Sequence, residues 1–223
     1  MTRNVILASG LLFALLIVSP RPADGQVRVA LSAGPTFTTL EGDDAALAGA
    51  APSVGNETGY FAGASVSVPL GGILSISPGL YLVQQGASFQ PNFSGEYSVE
   101  VSYIKVPVTI GVELTGADLP FGVHLFAGPE IAFEIDCNVE TGREPSGFDD
   151  FGEFEDCYPP RGIDDSQRKS TDVGLIFGAE VSYGSFLVRG GLDMGLTSLD
   201  DSEAELEYRN SAWFLGAGYV IGG

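Results

Sequence analysis

Eight segments of this chain alternate, residue by residue, between an uncharged apolar set and a set that is small, polar or charged. Successive side chains of a β-strand point to opposite faces, so each segment has one face with no ionisable group. The apolar sets include Val29, Leu31 and Phe37; Tyr60, Ala62 and Val66; Leu74, Ile76 and Leu80; and Ile104, Val108 and Ile110. They continue through Leu125, Ile131 and Phe133; Val173, Leu175 and Phe177; Phe186, Val188 and Leu192; and Trp213, Leu215 and Tyr219. Every ionisable residue within these segments has the other parity. A face of this kind is stable only against a packed core or hydrocarbon.

Connection lengths and the second face choose between those two. Residues 69–73, 115–121 and 184–185 are short links, whereas 38–59, 84–98, 136–171 and 197–211 are long ones. Alternate short and long links are those of a barrel threaded through a membrane with both termini on one side. The second face is mainly Gly, Ser and Ala with a few long charges. That composition suits the cramped bore of a small barrel better than a wetted surface. The expected fold is all-β: an eight-stranded antiparallel up-and-down transmembrane β-barrel preceded by a cleavable signal helix. The alternative is a soluble lipocalin-like ligand-binding barrel, which would bury the apolar set.

Residues 1–25 have the form of a secretory signal: Arg3 near the start, an apolar stretch over 5–18, Pro20, and small residues at Ala23 and Gly25. The mature domain is then expected over 26–223, and no further domain is expected after the last strand. With 29 acidic against 10 basic residues, the chain should repel nucleic acid. Its two cysteines, Cys137 and Cys157, share one acidic segment. In an exported chain they are expected to pair, restricting that segment by about 3 kcal/mol; free thiols or half a metal site is the alternative.

Turn chemistry sets the register of the second face. Gly184-Ser185 suits a two-residue hairpin, which puts Tyr183 opposite Phe186 and Glu180 opposite Arg189. In a narrow bore that carboxylate and guanidinium are expected to pair. Around the 115–121 link, parity sets Glu113 opposite His124 and Lys105 diagonal to Glu130 and Glu134. With Arg28 and Asp193 these residues form an expected lumen polar network whose role is to plug the bore. Aromatics of the apolar face cluster as girdles would: Phe37, Tyr60, Phe133 and Trp213 toward the long links, and Tyr183, Phe186 and Tyr219 toward the short ones.

The runs Val29-Ala30-Leu31-Ser32-Ala33-Gly34-Pro35, Ser77-Pro78-Gly79-Leu80-Tyr81, Tyr103-Ile104-Lys105-Val106-Pro107-Val108 and Phe126-Ala127-Gly128-Pro129 resemble the PorT-type outer-membrane β-barrel family, small eight-stranded bacterial barrels. The resemblance spans essentially the mature chain. It implies location in the bacterial outer membrane and architecture, and no catalytic residues. The chain departs from such barrels in ending on Gly222-Gly223 rather than on an aromatic residue.

No motif points to catalysis, a cofactor or a metal. His124, the only histidine, is expected to be a satisfied lumen residue. The long links are acidic, and Phe148, Phe151, Phe154 and Tyr158 lie among the acids of the cysteine segment. Exposed aromatics there would bind a partner or pack the loop on itself. The function expected is a structural or surface-interaction role, surrounded by outer-membrane lipid, with an extracellular or envelope protein as partner. The alternative is a small-solute pore with a wet path past Arg28, Lys105, Glu130 and Arg189.

Overall fold

The structure, a computed structural model, describes residues 26–41, 54–89, 97–114, 121–141, 170–197 and 209–222. The segment read as a signal and part of each long link lie outside them. The described residues form eight strands: β1 Arg28–Glu41, β2 Val54–Gly71, β3 Leu74–Phe89, β4 Tyr97–Glu113, β5 Phe121–Thr141, β6 Thr171–Tyr183, β7 Phe186–Gly195 and β8 Arg209–Ile221. Each pairs antiparallel with the next, and β8 pairs back to β1 to close a barrel. Closure leaves no strand edge with unpaired backbone groups, which is the condition for strands to cross hydrocarbon.

The apolar parity is outside. Ile110, Val188 and Trp213 are 59%, 54% and 61% exposed, while Lys105, Glu130, Arg189 and Asp193 are buried within the bore. This is the reverse of a soluble ligand-binding barrel, whose apolar set would line the interior. On β4 the outer apolar band runs through ten residue steps from Ile104 to Leu114. That is about 33 Å along the strand and about 25 Å along the axis at the usual tilt. The girdle residues sit at its two ends. Phe37 pairs with Trp213 at one, and at the other Phe121, Tyr183, Phe186 and Tyr219 follow one another across β5 to β8. Gly184 has φ 58°, the left-handed backbone that a two-residue hairpin of matching twist requires.

The strands outrun the apolar pattern. The stretches 38–41, 54–59, 84–89, 97–98 and 136–141, read from sequence as parts of long links, continue the sheet. Parity fades there because the outer face also turns polar once it clears the band. Gln84 Nε2 donates to Glu100 Oε2 at 2.7 Å, and Asn138 Nδ2 to Asp136 Oδ2 at 3.1 Å, all on the outer surface. A β-bulge adds a further change. Ser102 pairs with Asp136 but Tyr103 with Glu134, so Ile135 is an extra residue. Beyond it the faces of β5 exchange, and Cys137 packs inward near Val101 and Tyr103.

Val108, near the middle of the band, tests this placement against Ser102 on the polar wall. In lipid vesicles, Val108→Arg should lower unfolding stability by about 2–4 kcal/mol, and Ser102→Arg by no more than about 0.5 kcal/mol. Equal small effects in denaturant titrations would show that the band does not meet hydrocarbon.

Candidate functional site

The bore is filled in three layers, and register places each. Nearest the short turns, Arg28 Nη2 donates to Glu113 Oε2 at 2.7 Å. Beside them His124 Nε2 and Ser75 Oγ are 3.1 Å apart, a hydrogen bond whose direction follows the tautomer. The sequence register is correct here, since Glu113 is the cross-strand neighbour of His124. Glu113 nevertheless forms an ion pair with Arg28, which reaches it across the bore.

The middle layer centres on Arg189, which is 7% exposed. Its guanidinium carbon lies 4.9 Å from the Phe126 ring centroid, 5.1 Å from Tyr81 and 5.7 Å from Phe214. Its Nη1 donates to the Tyr81 hydroxyl and, at 3.5 Å, to Ser32 Oγ. Phe61 completes the layer edge-on to Phe214, with centroids 5.6 Å apart. Glycine makes this possible: a Cβ on Gly216 would lie 2.4 Å from Phe61 Cζ. The inner-face glycines that read as mere economy of space are in part seats for rings from other strands.

Glu180 and Arg189 are direct cross-strand neighbours, as the hairpin predicts. They form no ion pair, and this corrects the sequence reading. The flat, weakly hydrated guanidinium stacks on ring faces, an arrangement worth up to about 2 kcal/mol per well-buried contact. Glu180 remains half-buried, lower in the bore.

The third layer lies toward the long links. Lys105 Nζ donates to Glu130 Oε1 at 3.0 Å and to Asp193 Oδ2, and Gln85 Nε2 donates to Asp193 Oδ2 at 3.2 Å. The side chains of Lys105, Glu130 and Asp193 are 5%, 3% and 9% exposed. Glu130 is the diagonal neighbour expected from parity. Glu134, the other diagonal, faces Tyr103, and the second carboxylate on Lys105 comes from Asp193 on β7 across the bore. Sequence neighbours could not supply that partner, nor the aromatic layer; the available signal was inward parity at Phe61, Tyr81 and Phe214.

Among the described residues no group of histidine, cysteine and acidic side chains could hold a metal ion. Cys137 is disulfide-bonded; Cys157 lies outside the described residues, as do Phe148, Phe151, Phe154 and Tyr158. Arg28, Lys105, Glu130 and Arg189, the residues of the alternative wet path, share the bore with the rings packed around Arg189. Removing the central cation gives a direct test of the third layer. Lys105→Met leaves two buried carboxylates without it and should destabilise the barrel by about 3–5 kcal/mol in denaturant unfolding. Adding Glu130→Leu and Asp193→Leu should restore most of the loss; no recovery would mean that the charges are not what the lysine compensates.

A family model described as "Outer membrane protein beta-barrel domain" matches residues 21–201. No curated protein matches the chain. Among solved structures, it is similar to Ail, the attachment invasion locus protein of Yersinia pestis, with 10% identity, TM-score 0.42, and 87% of this chain and 98% of that one covered. It is similar also to OprG from Pseudomonas aeruginosa, with 10% identity, TM-score 0.48, and coverage of 88% and 96%. For Neisserial surface protein A the values are 11%, 0.45, and 88% and 99%. The family match covers most of a chain whose described barrel turns its apolar band outward and the charges at that level inward; this protein belongs to the outer membrane protein beta-barrel domain family and resides in the bacterial outer membrane.

Proposed function

We propose that this barrel is a closed, non-enzymatic envelope protein that presents its upper wall and acidic long links to a partner outside the cell. The observation that carries the reading is the middle layer. Arg189, Phe61, Tyr81, Phe126 and Phe214 occupy the bore from β2, β3, β5, β7 and β8 at one level. Above and below it, charges bond to one another. A bore held in this way favours rigidity over conduction.

Four strands, β2 to β5, have 16 to 21 residues each, whereas about 9–11 suffice to cross a bilayer. The excess stands on the long-link side and carries a polar outer face at Gln84, Glu100, Ser102, Asp136 and Asn138. This wall, with Phe148, Phe151, Phe154 and Tyr158 of the adjoining segment, is the proposed meeting place for a protein partner. A Cys137–Cys157 bridge would anchor that segment to the wall. Residues 1–25 would serve as the export signal, leaving 26–223 as the barrel domain. Within the wider family, the runs around Ile104 and Pro107 support a PorT-type affiliation. No cofactor enters this role.

Planar-bilayer recording separates this reading from a small-solute pore. The purified full chain should give no steady single-channel steps, and Phe126→Ala with Phe214→Ala should produce measurable current by emptying the middle layer. Steady steps from the unaltered protein would overturn the closed-barrel reading.

A further inference from the structure

Pro35 on β1, Pro78 on β3, Pro107 on β4 and Pro129 on β5 stand inside strands of a closed sheet that has no edge. A proline has no N–H to give the ladder, and in sheets it is ordinarily confined to edges and bulges. Each of these four interrupts one seam while the register keeps its count. Between β2 and β3 the pairing passes from Ser65–Gly79 to Val68–Ile76, omitting Pro78. Between β3 and β4 it passes from Pro78–Val108 to Tyr81–Lys105, omitting Pro107. Between β4 and β5 it passes from Pro107–Glu130 to Ile110–Ala127, omitting Pro129. Pro78 faces Val108, which in register faces Pro129, so the three gaps adjoin in one line across the tall wall. The β1–β2, β5–β6, β6–β7 and β7–β8 ladders run without a gap. The gap at Pro35, between β1 and β8, stands away from the line.

Free space meets the same line from inside. A Cβ on Gly79 would lie 2.7 Å from Tyr81 Cε2 and 3.2 Å from Pro107 Cγ, so ring and proline sit side by side there. Both residues line two cavities, one of about 40 Å³ toward Arg28 and His124, the other of about 30 Å³ toward Lys105 and Glu130. We propose that the line is a flexure, about which the upper parts of β2 to β5 move while the rest of the barrel keeps its shape. Bending of a strand is resisted by its bonds to neighbouring strands and by the packing behind it. Here one donor is missing at one level in three adjoining seams, hydrocarbon offers no replacement, and the packing behind is incomplete. Tyr81 carries the movement into the bore, since its hydroxyl accepts a hydrogen bond from Arg189. Resting on the partner role proposed above, the flexure gives contact at the upper wall a route to the middle layer; the flexure itself does not need that role.

Spin-label distances across the barrel test this without any partner. Cys137 is disulfide-bonded, so labels go to introduced cysteines. Ser102 and Ile110 lie on β4 on opposite sides of Pro107, and each is paired in turn with Leu215 on β8. For the full chain in lipid nanodiscs, pulsed dipolar spectroscopy should give a Ser102–Leu215 distribution about twice as wide as the Ile110–Leu215 one. Pro78→Ala with Pro129→Ala restores two ladder donors and should narrow the first distribution toward the second. Pro107→Ala, which restores the donor of the seam between them, should narrow it part of the way, and Pro35→Ala, off the line, should leave it unchanged. Equal widths for the two pairs in the parent protein would overturn the proposal. So would a Ser102–Leu215 width that neither the paired substitution nor Pro107→Ala reduces, or that Pro35→Ala reduces as much.

Discussion

Hydrocarbon cannot solvate a charge, and the described barrel is arranged around that fact. Where the outer parity of the eight strands is free of ionisable groups, along the apolar band, every charge at that level must point into a bore only a few side chains wide. The same constraint requires closure, because an open sheet edge would leave backbone donors and acceptors without partners in lipid. Outer apolar band, closed sheet and charged interior are therefore one solution to one solvent problem. Ile104 and Lys105 express it together: neighbours on β4, one faces outward at 38% exposed and the other is 4% exposed.

Inside, the difficulty is reversed, since buried charges need partners more than exposed ones do. The bore answers in three different ways. Arg28 and Glu113 form a simple pair near the short turns, where their side chains are still 37% and 28% exposed. Deeper, Lys105 takes two carboxylates from two strands, with Gln85 supporting one of them. At Arg189 the partners are rings and hydroxyls instead. Arg28–Glu113, Lys105–Asp193, Gln85–Asp193 and Arg189–Tyr81 cross the bore, so they tie together strands that share no backbone hydrogen bonds. The filling of the bore thus also braces the wall.

Much of this architecture was legible from residue order. A period of two assigns faces without any tertiary information, and the two-residue turn at Gly184-Ser185 transmits register outward, so Glu180 opposite Arg189 followed directly. Around the longer 115–121 link parity allowed Glu113 opposite His124, and the structure has that pairing. What did not follow were contacts across the bore. Asp193 reaching Lys105, Arg28 reaching Glu113, and the rings gathering on Arg189 depend on how far the closed sheet brings non-adjacent strands together. Strand ends were hidden for another reason. Beyond Leu82 and Ile104 water bathes the outer face, so both parities become polar and alternation loses its contrast, although the sheet continues. The bulge at Ile135 then exchanges the faces of β5, a change no parity count over Cys137 could register.

Trp213 offers the most direct test of the claim that lipid is the outer solvent. It is the only tryptophan of the chain, 61% exposed on the outer face of β8 and paired with Phe37 near the long-link end of the band. Its fluorescence in vesicles of phospholipids brominated at defined depths reports what surrounds it. Bromine near the carbonyl end of the acyl chain should quench it strongly and aqueous iodide hardly at all. Strong iodide quenching with no response to brominated lipid at any depth would contradict the account.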